Sequence, residues 1–146
     1  MKKQLVCFIC VLLFAGLKNA HSQIDFTDWQ SGKKLYQIKD NVLRDWSTNE
    51  AIIEFRDEAF INSKTGERLY MLEKKTLSDT KTGKKLLEYK NGKVMDSNTG
   101  NLAYTLDHGD RIISDAQKGK RLFTVSQAYL LPEYFYMVLI ASGAVK

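Results

Sequence analysis

From Ile24 onward, apolar residues recur in short alternating bursts separated by polar gaps, and the bursts repeat with a fixed period. Aligned on an acidic or amide residue, the copies are anchored at Asp28, Asp45, Asn62, Asp79, Asp96 and Asp115, spaced by 17, 17, 17, 17 and 19 residues. Four residues after each anchor stands Gly32, Asn49, Gly66, Gly83, Gly100 or Gly119. These residue types tolerate positive φ. An Asp or Asn side chain accepts hydrogen bonds from backbone N–H groups just ahead of it, and a left-handed Gly or Asn closes a type I turn with a bulge. Every copy therefore predicts one hairpin turn.

The flanking columns supply the strands. Two residues before the anchors lie Phe26, Leu43, Phe60, Leu77, Val94 and Ile113; eight after them lie Tyr36, Ile53, Tyr70, Leu87, Tyr104 and Phe123; ten after them lie Ile38, Phe55, Leu72, Tyr89, Leu106 and Val125. The column between the last two is mostly polar (Gln37, Glu54, Met71, Glu88, Thr105, Thr124), which is the period of a strand with one buried face. Polar connections such as Lys39-Asp40-Asn41, Lys90-Asn91-Gly92 and His108-Gly109-Asp110 join the copies. The expectation is a mainly β chain of six tandem β-hairpins, about twelve short antiparallel strands. A row of hairpins leaves two open edges and one greasy face, so closure into a shallow barrel satisfies both.

After Ala128 the period stops, and Pro132-Glu133 introduces a charge-free run from Tyr134 to Val145. Proline followed by an acid is a helix-start signal, and a helix over 132–145 would be apolar on every side. Such a helix must be buried, and the middle of a wide ring is the place for it. The aromatic and β-branched content of Tyr134–Ile140 keeps a terminal pair of strands as the competing reading.

Repeated hairpins closed around a hydrophobic C-terminal helix resemble the Tubby C-terminal domain, phospholipid scramblase and LURP-one superfamily. The compact unit of an acid, three residues, a glycine and an aromatic alternation is similar to its small bacterial β-flower-like members. The resemblance covers residues 24–146 and implies the ring-and-plug fold, with membrane-lipid binding as the function it suggests. No phosphoinositide-binding or calcium-binding residue of the larger members matches a position of this chain.

The N-terminus changes the composition. Lys2 and Lys3, the apolar stretch Leu5–Leu17, and small residues at Ala20 and Ser22 read as a signal peptide over 1–22, leaving 23–146 as one domain. Retention of that stretch as an anchor is the alternative. Cleavage removes Cys7 and Cys10, which excludes disulfides and thiolate chemistry from the exported part. It also removes Lys2, Lys3 and Lys18, so 22 basic residues become 19 against 17 acidic and the net charge falls from +5 to +2. Nucleic acid is therefore not an expected partner. Export to the periplasm, the envelope or the medium is expected.

Sorted by column, the anchored turns carry ten bases: Lys33, Lys34, Lys64, Arg68, Lys81, Lys84, Lys85, Lys118, Lys120 and Arg121. Seven after each anchor lies an apolar column (Leu35, Ile52, Leu69, Leu86, Ala103, Leu122) that strict alternation turns away from the core. A greasy ring bordered by bases would suit an anionic membrane surface, whereas a bulge at the left-handed residue would shift the pleat and tuck the column inward. Trp29 and Trp46 follow the first two anchors and read as a stacking platform or as cover for the barrel wall. The candidate contact residues are Lys33, Lys34, Arg68, Lys84, Lys85, Lys120, Arg121, Trp29 and Trp46.

Nothing points to catalysis. His108, in a loop, is the single histidine after cleavage, and Asp96-Ser97-Asn98-Thr99-Gly100 departs from a calcium loop in its glycine and twelfth position. No nucleophile elbow or phosphate loop occurs. The expectation is a non-enzymatic exported module without metal or cofactor, contacting anionic lipid or the envelope surface; the alternative is a structural or protein-interaction repeat without a small ligand.

Overall fold

The computed structural model describes residues 22–145. The expected signal peptide over 1–22 lies, apart from Ser22, outside the described residues. Twelve strands follow one another: β1 (Ile24–Asp28), β2 (Lys34–Lys39), β3 (Val42–Asp45), β4 (Ala51–Arg56), β5 (Ala59–Asn62), β6 (Arg68–Glu73), β7 (Thr76–Asp79), β8 (Lys85–Lys90), β9 (Lys93–Asp96), β10 (Leu102–Asp107), β11 (Ile112–Asp115) and β12 (Lys120–Val125). Each pairs antiparallel with its chain neighbours, and β1 pairs with β12 through Phe26↔Val125, Thr27↔Thr124 and Asp28↔Phe123, closing the barrel. Among the described residues no strand edge is left unpaired, which removes the liability of a tandem hairpin array.

The two ends of the barrel use different turns. At one end, which we call the anchored rim, the residue four after the anchor has φ of 69°, 59°, 72°, 69°, 72° and 61° in the six copies. The opposite end uses two-residue turns with both residues left-handed: Asp40-Asn41, Asp57-Glu58, Lys74-Lys75 and Asn91-Gly92. That geometry belongs to the type I′ turn, whose twist matches the strands it joins. The β10–β11 connection, residues 108–111, is two residues longer and accounts for the single spacing of 19. Its His108 ring donates a 2.8 Å hydrogen bond from Nδ1 to the Ala128 carbonyl and stacks on Tyr129 at 4.9 Å. The extra length thus holds the segment that carries the chain from β12 to the helix.

The column two before the anchors is completely buried: Phe26, Leu43, Phe60, Leu77, Val94 and Ile113 are all 0% exposed. With the inward residues of the longer strands they line a lumen, and helix α1 (Pro132–Ala141) fills it. Phe135, Tyr136, Met137, Val138 and Leu139 are each 0% exposed. Five successive positions at about 100° each sweep past a full turn, so the helix is surrounded rather than laid on one side. The Tyr134 hydroxyl donates to Asn41 Oδ1 (2.8 Å) and the Tyr136 hydroxyl to the Lys75 carbonyl (3.0 Å), both in two-residue turns. At the anchored rim the hydroxyls of Tyr36 and Tyr104 donate to the carbonyls of Ala141 and Ala144 at 3.5 and 3.1 Å. The helix therefore threads the ring from one end to the other. The strand reading of Tyr134–Ile140 gives way to this helix.

The helix is shorter than 132–145. It stops at Ala141 because Gly143 takes φ of 73°, its N–H bonds the Ile140 carbonyl, and the Ala144 N–H bonds the Leu139 carbonyl. This pair of bonds is a Schellman motif, which satisfies the last carbonyls and turns the tail across the mouth.

Two substitutions test this architecture. Leu139→Ala opens a cavity inside the lumen and is expected to cost about 2–5 kcal/mol, read from urea unfolding. Glu58→Gly relieves a left-handed non-glycine residue (φ 58°) and is expected to raise stability by roughly 1 kcal/mol in the same assay.

Candidate functional site

All nine sequence-predicted contact residues lie on or just below the anchored rim, and the turn that positions them is rebuilt in every copy. The anchor side chain Oδ1 accepts backbone N–H groups two or three residues ahead, as Asp45 does from Ser47 and Thr48 at 2.8 and 2.9 Å and Asn62 from Lys64 and Thr65 at 2.9 and 3.2 Å. A hydroxyl three after the anchor (Ser31, Thr48, Thr65, Thr82, Thr99) accepts the N–H two residues further on at 3.2–3.3 Å. This hydroxyl column is visible in the sequence as a Ser or Thr before the left-handed residue, but it was not singled out by the alternation that located the strands.

A second bond links each copy to the next. The N–H one after every anchor donates to the carbonyl seven after the previous anchor: Trp46 to Leu35, Ser63 to Ile52, Thr80 to Leu69, Ser97 to Leu86, Ala116 to Ala103 and, across the closure, Trp29 to Leu122, at 2.8–3.3 Å. The accepting residue is the bulge in every copy, since the register slips between Phe26↔Tyr36 and Thr27↔Lys34 and equivalently elsewhere. The bulge corrects the outward placement of the column seven after the anchor. Ala103 is buried, Leu69 is half-buried, and Leu35, Ile52, Leu86 and Leu122 pack half-buried against the core. The column is thus turned mostly under the rim, and Ile52, Leu86 and Leu122 line the crevices between its turns.

Hydrogen bonding also sets the anchors' titration. Asp28, Asp45 and Asp79 are held below the ordinary 3.8, first by the hydroxyls of Ser31, Ser47 and Thr82, and Asp96 is lowered first by the Thr99 N–H. Lys120 contributes to the lowering at Asp28 and Lys84 at Asp96.

The bases are not equivalent. Glu50 pairs with Lys64 (3.2 Å) and Glu67 with Lys81 (2.9 Å), in each case the residue five after one anchor with the residue two after the next. Lys34 pairs with Asp25 at 2.9 Å and Lys118 with its own anchor Asp115 at 3.5 Å. Among the described residues Lys33, Arg68, Lys84, Lys85, Lys120 and Arg121 make no ion pair, and all six are exposed. Each tryptophan carries a cation from the preceding copy: Lys34 Nζ lies 4.2 Å from the Trp46 ring centre, and Arg121 Cζ lies 4.6 Å from that of Trp29. Trp46 is half-buried, whereas Trp29 remains 43% exposed.

Between neighbouring turns the rim opens into crevices. Two of about 290 Å³ flank the helix tail and share Tyr104 and Ala144; one adds Lys84, Asp96 and Asn98, the other Asp115 and Lys118. A third of about 320 Å³ lies between the second and third copies, lined by Asp45, Glu50, Ile52 and Lys64. A larger hollow of about 440 Å³ on the outer wall, with Gln23, Gln37 and Arg44, contains none of the predicted contact residues. His108 stands at the opposite end. Comparison of the chain with family models, with curated proteins and with solved structures finds no match.

The anchors generate a pH prediction. Their folded values are lowered, so the stability they contribute is complete above 3.8 and is lost as pH falls through the folded values. Asp79→Asn keeps the acceptor oxygen, as Asn62 does natively, and is expected to melt near the parent at neutral pH with a flatter acid limb. Asp79→Ala removes the acceptor and is expected to melt lower at both pH values. Thermal melts from pH 7 to pH 2 check this, and equal loss in both variants would refute the turn-acceptor role.

Proposed function

We propose that the protein is a non-enzymatic exported binding module that contacts an anionic lipid or envelope surface through its anchored rim. The observation that carries this reading is the set of exposed bases five and six residues after the anchors. They stand at one end of the barrel on turns fixed by backbone and Asx hydrogen bonds. Turns fixed in this way hold the backbone beneath these cations in place before contact, so ordering on binding is confined to the side chains. The likeness to the Tubby, scramblase and LURP-one superfamily belongs to this proposal, with the twelve-strand ring and enclosed helix as its support.

The contact is peripheral. Strands of four to six residues fall short of the roughly 9–11 that cross a bilayer. Among the described residues no helix is long and apolar enough to cross a membrane. With the leucine column packed inward, attraction must come chiefly from charge, at about 1 kcal/mol per basic group near an anionic surface. Such attraction is screened strongly once the Debye length shrinks to a few ångströms, near roughly 1 M salt.

Vesicle co-sedimentation tests the reading. Binding to anionic vesicles at low ionic strength, release at high ionic strength and no binding to neutral vesicles are expected. Failure to bind anionic vesicles at low salt would refute it and favour the structural repeat.

A further inference from the structure

The closed strand order fixes which bases are neighbours. The second copy (residues 46–51) and the fifth (97–102) carry none, so the rim divides into two opposed basic arcs. One spans the closure seam, with Lys118, Lys120 and Arg121 from the sixth copy beside Lys33 and Lys34 from the first. The other joins the third and fourth copies, with Lys64, Arg68, Lys81, Lys84 and Lys85.

Charge does not choose between the arcs. Each sets five bases against two acids: Asp28 and Asp115 at the seam, Glu67 and Asp79 opposite. Each also has three bases without an ion pair among the described residues. Two other features separate them. Both seam lysines five after an anchor precede a turn with a neutral residue at its second position, Gln30 for Lys120 and Ser47 for Lys33, whereas across the ring only Lys84, ahead of Asn98, does so. These are the positions that hold Lys64 and Lys81 opposite Glu50 and Glu67 elsewhere.

Aromatic content is the larger difference. Both tryptophans flank the first copy, and among the described residues Trp29 is the one large apolar side chain exposed on this rim; Tyr129 and Leu131 belong to the far end. A partly exposed indole among guanidinium and ammonium groups matches the interface between headgroups and hydrocarbon, where tryptophan collects and bases meet phosphate. A soluble polyanion would use the cations without needing the indole at a depth.

We propose that the seam hairpin, β1–β2 with the adjoining β11–β12 turn, is the edge by which the protein docks on an anionic phospholipid surface. Trp29 enters the headgroup layer there, and Lys33, Lys120 and Arg121 engage phosphate. The barrel then stands tilted on its seam rather than seated squarely on the rim. This inference rests on the membrane reading of the anchored rim and names the part of the rim that touches.

The test uses vesicles of mixed phosphatidylglycerol and phosphatidylcholine and two variants of equal charge change, each checked for unaltered melting. Lys33→Glu with Lys120→Glu is expected to weaken binding at least tenfold, and Lys84→Glu with Lys85→Glu less than threefold. In a Trp46→Phe background the remaining Trp29 emission is expected to shift blue and to be quenched by lipids brominated near the headgroup end of the chains. Equal losses in the two charge variants, or unquenched Trp29 emission in a bound protein, would overturn the seam assignment while leaving the rim reading standing. Inorganic polyphosphate that binds as tightly as vesicles, with no response from Trp29, would overturn it in favour of a soluble polyanion. An unmodified protein that binds no anionic vesicle refutes the rim reading itself, and the seam falls with it.

Discussion

Helix α1 has apolar side chains on every face, and twelve short strands close into a ring too wide to fill its own lumen. Each is unfavourable in water without the other, so their mutual burial is the constraint under which the remaining structure is arranged. The zero exposure of Phe135 through Leu139 and of the six residues two before the anchors describes the two surfaces of that contact. Tyr134 and Tyr136 extend it at one end and Tyr36 and Tyr104 at the other, where their hydroxyls reach polar groups of the turns and of the helix tail. Buried tyrosines that find such partners add apolar area without leaving an unpaired oxygen.

The bulges contribute the curvature of the ring. One extra residue per hairpin, always seven after the anchor, bends each long strand and increases local twist, which curves a sheet enough to close. The same residue offers its carbonyl to the next turn, so curvature and the link between copies come from one position. This explains why the column stays apolar although it borders the solvent-exposed bases: its side chains turn under the rim. The solvent face of the rim is thereby set mainly by its charged residues and Trp29.

Much of this was legible in the chain. Anchors and left-handed residues announce themselves because each is dictated by the backbone of its own turn, and the six buried positions two before the anchors follow from strand period alone. The leucine column was ambiguous because alternation and bulging predict opposite faces, and only the register decides between them. The Glu50–Lys64 and Glu67–Lys81 pairs join residues 14 apart in sequence, a spacing that has meaning only after neighbouring turns are known to stand side by side. The helix end was misplaced for a similar reason: Ser142, Gly143 and Ala144 continue an uncharged run, while the stop signal is the single left-handed glycine within it. His108 looked like a loop residue without a task, and its task, holding the Ala128 carbonyl, depends on where the chain turns inward.

The plug follows all twelve strands in chain order, and that ordering has a consequence for how the molecule is made. Hairpins are local and can pair as each emerges, but the lumen they enclose has no occupant until the final segment arrives. Every pairing in the ring joins chain neighbours except that of β1 with β12, so loop-closure entropy weighs most on this seam, and burial of α1 in the closed ring offsets it. The edge that carries Trp29 is therefore also the edge whose pairing depends most on the plug.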